Sequence, residues 1–306
     1  MSDEITLQDI LEVQEHFDLP SPALVEKDWY VVRALAAIAA ADIAPLRVVF
    51  GGGTALGRAH RLIHRMSEDI DLKIVAAEGE PKRTALRRLR ETITEALLKA
   101  GFKFDPANPA HRQSGNESRY TLFQLPYAPL TAGEGVLRPE IKIEAAVWPL
   151  RRPAVELPVS SFVAEAFKRP PEVASIACVS VTQTASEKFV GLTRRVVTEI
   201  TLDEADRDHT LVRHIYDLHV TRGHYDAKEV AALAREVMPH DAKIFGNLSP
   251  EYRKGPLAAT RRALQALEEN PYYGRQFAEF ARLMVYGDAV AFGDALATLR
   301  KLGSLI

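Results

Sequence analysis

Apolar positions recur at helical spacing in "SPALVEKDWYVVRALAAIA", with Ser21 suited to the N-cap and Pro22 to the first helical turn. "LRVVF" (Leu46 to Phe50) is a short β-rich run that three glycines terminate. A helix is expected from Ala55 to about His64. "DIDLKIV" then alternates Asp69, Asp71 and Lys73 on one face of a strand. "KRTALRRLRETITEALLKAGF" predicts an amphipathic helix ending near Gly101. "SRYTLFQLPY" and "LRPEIKIEAAVW" predict two further strands, the second alternating Lys142 and Glu144 against Ile141, Ile143 and Ala145. Strands mixed with helices in this way give an α/β or α+β sheet domain.

Prolines at 149, 153, 158, 170 and 171 mark what reads as a connecting stretch with little regular helix. From about Thr182 the pattern is helical to the end of the chain. The expected organisation is therefore a sheet domain with its proline-rich connection over residues 1–175, and a helical domain over 176–306. Of the 306 residues, 47% are hydrophobic and 26% charged, a globular composition. A formal net charge of -2 gives no overall electrostatic pull toward nucleic acid, so any such binding must use local patches. The single cysteine, Cys178, excludes an intrachain disulfide framework and fits a reducing compartment. Without a signal-peptide pattern or a long apolar run, a cytoplasmic location and no membrane association are expected.

The chemistry concentrates between Gly51 and Ile74. Gly52, Gly53 and Thr54, opening a helix after a strand, suit the β- and γ-phosphates of a nucleotide, because glycine lets phosphate approach without a Cβ clash. Asp69 and Asp71, two apart on a strand, project from one face and can share Mg²⁺ or Mn²⁺ with phosphate oxygens and water. Thr184 and Glu187 have capping-box spacing, which places Lys188 in the first turn of its helix as a phosphate-binding cation. His60 and His64 lie four apart on the expected helix, but the Glu of a zinc-binding His-Glu-x-x-His is missing. With Arg58, Arg61 and Arg65 they fit phosphate contacts better. Arg83, Arg87 and Arg88 lie in the densest basic stretch and are candidates for an RNA backbone; a solvated helix face has the same pattern.

These residues also carry a resemblance. "VEKDWYVV", "GGTAL", "RMSEDIDL", "EKFVGLTRR" and "YDL", in that order from Val25 to Leu218, resemble the AbiEii-type nucleotidyltransferase toxins, which include the MenT toxins. These belong to the polymerase-beta-like nucleotidyltransferase superfamily. The resemblance implies transfer of a nucleoside monophosphate from an NTP to an RNA acceptor, with the tRNA 3′ end as the acceptor and translation blocked. It implies Gly52 and Gly53 at the nucleotide, Asp69 and Asp71 at the metal, Lys188 at the phosphates and Asp217 completing the site. Glu144 corresponds to the third strand carboxylate that helps activate the acceptor hydroxyl. Ser67 corresponds to a hydroxyl beside the nucleotide that an antitoxin partner can phosphorylate. Two departures are visible. Gly51 stands where the family often has Lys, and Arg213-His214 where it often has Arg-Asp. A protein or small-molecule acceptor, or an inactive binding module, remain alternatives from sequence.

Overall fold

The structure, a computed structural model, describes residues 4–131 and 137–306. It divides into two compact units, Met1–Arg61 with Arg65–Val179, and Leu62–His64 with Ser180–Ile306.

The first unit opens with α1 (Leu7–His16), closed by a reciprocal cap between Thr6 and Asp9. Ser21 caps α2 (Pro22–Ala39) by accepting from the Ala23 amide. The strands are β1 (Leu46–Gly51), β2 (Asp69–Ala76), β3 (Arg112–Gly115), β4 (Tyr120–Pro126), β5 (Glu140–Val147), β6 (Val155–Val159) and β7 (Val173–Cys178). Among the described residues they form one mixed sheet in the order β3-β4-β5-β2-β1-β7-β6. Between β1 and β2 lies α3 (Gly52–Thr54), which runs on as a π-helical turn over Ala55–Ala59. The expected helix to His64 therefore stops early: Arg61 takes a left-handed φ of 57° and the chain then runs irregularly into β2.

Period-2 alternation decides which face of this sheet is covered. Val48 and Phe50, Ile70, Leu72 and Ile74, and Ile141 and Ile143 enter one core with Val31, Leu35 and Ile38 of α2. Leu86, Leu89, Ile93 and Leu97 of α4 (Arg83–Lys99) complete it. The polar positions of β2 and β5 are left on the other face.

The proline-rich stretch differs from expectation. It holds β6, the short helix α5 (Phe162–Ala166) and β7, and β7 joins the sheet beside β1. Its prolines avoid the paired positions of β7 and fall in the connections and on the outermost strand, where a missing N–H costs no ladder bond.

The "EKD" of α2 is a structural clamp. Glu26 accepts from the amides of Leu130 (2.7 Å) and Thr131 (3.2 Å). Lys27 donates to the carbonyls of Arg138 and Glu140 and pairs with Glu68 at 3.2 Å. Asp28 accepts from the Phe162 amide at 2.7 Å and pairs with Arg58 at 3.2 Å. Lys27 thus ties α2 to both chain segments that lead into the polar strands β2 and β5.

Burial pushes the Asp28 carboxyl up to about 6, although Arg58 and the Phe162 amide favour its charge. Between about 4 and about 6 the folded protein holds this proton while the unfolded chain has lost it. The Asp28 contribution to stability therefore falls as pH rises through that window and is flat above it. Urea midpoints of the wild type and Asp28→Asn at pH 4.5 and 7 are expected to favour the wild type more at the lower pH. A pH-independent difference would refute this assignment.

The second unit is helical: α6 (Val181–Glu199), α7 (Arg213–Val220), α8 (Ala227–Phe245), α9 (Pro250–Lys254), α10 (Pro256–Glu269), α11 (Pro271–Met284) and α12 (Phe292–Ser304). Phe189, Leu192 and Val196 of α6 are buried, as are Val230, Leu233 and Ala234 of α8 and Ala259 and Ala263 of α10. No helix among the described residues is long and apolar enough to cross a membrane.

Candidate active site

The register of the sheet sets out the polar face of the first unit residue by residue. Tyr120, Ala146 and Lys73 lie side by side on β4, β5 and β2. Leu122, Glu144 and Asp71 form the next row, and Gln124, Lys142 and Asp69 the third. On the far side of β2, Gly51 pairs with Asp71. Asp69, Asp71 and Glu144 therefore share one face, with Glu144 directly across from Asp71.

The glycine turn folds onto this carboxylate. Gly52 has φ +72°, in the region glycine enters without strain, and a Cβ built on it would fall 1.8 Å from Asp71 Oδ2. A Cβ on Gly53 would meet the Arg65 guanidinium and the Ser67 hydroxyl, each at 2.6 Å. Arg65 is itself buried and donates to the Met66 carbonyl at 2.7 Å. Thr54 donates its hydroxyl to the Asp69 carbonyl, so it braces the strand rather than presenting that hydrogen to a phosphate. Two neighbouring carboxylates on an oxygen-rich face suit a hard divalent cation whose remaining positions go to phosphate and water. Among the described residues, no three His, Cys, Asp or Glu side chains converge as a metal cluster. Asp69 and Asp71 offer carboxylate oxygens of the kind such an ion takes.

Glu144 has a partner of its own. Lys142 forms an ion pair with it, and Tyr120 stands one row along on β4. Partial burial opposes the Lys142 charge, but Glu144, and Asp69 after it, outweigh this and hold its pKa above the usual lysine value. Burial, with the Glu144 charge, likewise raises the Tyr120 phenol. Sequence reasoning gave Tyr120 and Lys142 no role. The Lys-x-Glu spacing on one strand face was the available signal for the second.

Other candidates fall elsewhere. Arg58 stacks on Phe162, its guanidinium carbon 3.7 Å from the ring centroid, as well as pairing with Asp28, so its phosphate role gives way to a structural one. Arg61 pairs with Glu165 at 3.4 Å. His60 makes a 2.9 Å hydrogen bond to the Val179 carbonyl, whereas His64 stands beside Tyr286 in the second unit. The two histidines share no helix and form no metal pair. Arg83, Arg87 and Arg88 are exposed on α4, whose apolar side packs on the opposite face of the sheet from Asp69 and Asp71.

In the second unit Lys188 and Asp217 meet, Nζ to Oδ2, at 2.8 Å, with Asp217 fully buried. The expected capping box at Thr184 is not the start of the helix. Ser180 caps α6 instead, accepting from the Gln183 amide, and Lys188 sits two turns inside. The helix-start reason for phosphate binding by Lys188 is thereby removed. Its position is set by Asp217.

Arg195 hydrogen-bonds His214 Nε2 at 3.4 Å, which puts the ring proton on Nδ1, an atom buried without a partner among the described residues. Burial, with Lys188 and Arg195 adding to it, drives the His214 pKa well below its usual value. Lys188→Ala removes a charge-assisted bond from a buried carboxylate and is expected to destabilise the second unit by about 3 kcal/mol. Lys188→Arg should recover part of this. Thermal melts of the three proteins test it, and equal midpoints would show that the pair is dispensable.

A family model described as the nucleotidyl transferase AbiEii toxin of type IV toxin–antitoxin systems matches residues 33–298. No curated protein matches the chain. Among solved structures, MenT4, a nucleotidyltransferase toxin from Mycobacterium tuberculosis, aligns over 97% of each chain with 18% identity and a TM-score of 0.49. On the extent of the family match, this chain belongs to the AbiEii family of nucleotidyltransferase toxins.

Proposed function

We propose that the protein transfers a nucleoside monophosphate from an NTP to the 3′ end of an RNA, with tRNA as the acceptor, and releases pyrophosphate. The observation that carries this reading is the seating of the Gly52 backbone against the Asp71 carboxylate, which makes the glycine turn and the Asp-x-Asp strand one site. Asp69 and Asp71 would hold a divalent cation, Mg²⁺ or Mn²⁺. When bound, that ion screens the triphosphate and lowers the pKa of the attacking hydroxyl.

The chain's own groups do the rest. Gly52 and Gly53 leave room for phosphate beside the carboxylates, and Gly53 seats Arg65 and Ser67 at the edge of the turn. The bond that forms joins the acceptor oxygen to the α-phosphorus, and the bond that breaks frees pyrophosphate. Lys188 and Asp217 belong to this reading as residues of the family motif, with Asp217 holding the ammonium at a fixed place. As a member of a toxin–antitoxin family, the protein is expected to have an antitoxin partner, and Ser67 is the hydroxyl on which that partner would act.

The test is incubation with total tRNA and each α-labelled NTP in turn, with Mg²⁺. Label on RNA from one or more nucleotides is expected. Label on protein or on an aminoglycoside, with none on RNA, would overturn the choice of acceptor while keeping the chemistry.

A further inference from the structure

Across β5 and β2, Glu144 and Asp71 occupy directly opposed positions, where side chains on one face lie about 5 Å apart at Cβ. Two carboxylates so placed repel one another, and a cation between them would relieve it. In this protein the relief for Glu144 comes from within. Lys142, two residues back on the same strand and across from Asp69, forms an ion pair with Glu144.

Resting on the reading of Asp69 and Asp71 as the cation-binding pair, we infer that Lys142 holds Glu144 out of the cation site. Lys142 then acts as an internal competitor for the third carboxylate and weakens divalent-ion binding at Asp69 and Asp71. The arrangement of charges on this face supports it. Asp69, Asp71 and Glu144 are three carboxylates in adjacent rows, and the Lys142 ammonium, across from Asp69, pairs with Glu144, whereas Lys73 lies one row further on beside Trp148. Without Lys142 the site would present three carboxylates, and oxygen sites bind divalent ions more tightly as their charge count rises. Lys142 is thus a positioning residue. It acts through Glu144, with which it pairs.

The experiment measures Mn²⁺ binding to the full-length protein by calorimetry, without nucleotide, so that the readout is separate from transfer. Lys142→Gln is expected to tighten Mn²⁺ binding by about tenfold. Glu144→Gln should leave the wild-type affinity within about twofold, because that carboxylate is not a ligand while Lys142 holds it. The double variant Lys142→Gln/Glu144→Gln should return to the affinity of Glu144→Gln.

A gain that persists in the double variant would overturn the inference, since the lysine would then act through its field on Asp69. So would an unchanged affinity in Lys142→Gln, or a loss in Glu144→Gln as large as that of Asp71→Asn. Asp71→Asn separates this failure from failure of the underlying reading. If wild type and Asp71→Asn bind Mn²⁺ alike, the Asp pair is not the cation site. Thermal melts confirm that each variant is folded, as expected for part-exposed positions on a paired strand.

Discussion

Asp71→Ala is expected to lower nucleotide transfer by at least about 10²–10³-fold while the protein keeps its fold. Asp71 is the carboxylate on which the site converges. Gly51 pairs with it from β1, Gly52 lies against its Oδ2, and Glu144 stands opposite it on β5. Its side chain is on the polar face of β2 and contributes no apolar packing to the core, which is built from Ile70, Leu72 and Ile74 on the other face. Loss of the carboxylate would remove a ligand of the proposed cation, and with it the charge that would neutralise the triphosphate in the transition state.

Asp69→Ala should lower transfer comparably, because Asp69 is the other carboxylate assigned to the cation, and it should keep the fold, because the Asp69 backbone carbonyl that accepts from Thr54 is kept in alanine. Single-turnover transfer of labelled nucleotide to tRNA, with urea midpoints for each variant, measures both effects. Transfer within tenfold of wild type in folded Asp71→Ala would remove Asp71 from the chemistry.

What could be read from the sequence follows how local its cause is. The Asp69–Asp71 face needed only the period of a strand, and the α2 start needed only Ser21 and Pro22. Both stand in the structure as read. The end of the helix after the glycines was not legible. Apart from Gly57, nothing in "ALGRAHRLIH" disfavours a helix, and no residue marks its end; tertiary partners hold the segment there, with Arg58 drawn to Asp28 and Phe162 and His60 to the Val179 carbonyl.

The proline-rich stretch failed for the opposite reason. Its prolines are real breaks, yet the runs between them are long enough for β6 and β7, and pairing with β1 through Phe50 and Cys178 is a contact across more than a hundred residues. At Lys188 two capping signals of the same spacing compete, Thr184 with Glu187 and Ser180 with Gln183. Ser180 caps because the chain leaves β7 two residues earlier. The Lys142–Glu144 pair was visible as spacing, but its meaning depends on register with β2, which no single strand encodes.

Gly52→Ala is expected to abolish most of the transfer activity for a reason that can be isolated. Two costs are combined at this position. The first is conformational: alanine at φ +72° pays the left-handed penalty of about 1 kcal/mol. The second is steric, because the new methyl would fall 1.8 Å from Asp71 Oδ2 and 2.8 Å from its Cγ, so the carboxylate or the turn must move.

Gly79 supplies the control for the first cost, since it has φ +64° and a methyl there would meet nothing within 4 Å. Gly79→Ala should lose about 1 kcal/mol of stability and no activity. Gly52→Ala should lose more stability than Gly79→Ala, and transfer by about 10²-fold, because the displaced group is the carboxylate that the site is built around.

The two costs separate further in the Asp71→Ala background. With Oδ2 and Cγ gone and only the Asp71 Cβ left at 3.1 Å, the stability cost of Gly52→Ala should fall toward that of Gly79→Ala without reaching it, a coupling expected only for residues in contact. Urea midpoints of wild type, the two single variants and the double variant measure it. If Gly52→Ala costs the same with and without the Asp71 carboxylate, the glycine is present for its backbone conformation alone, and the close approach between turn and strand plays no part in the site.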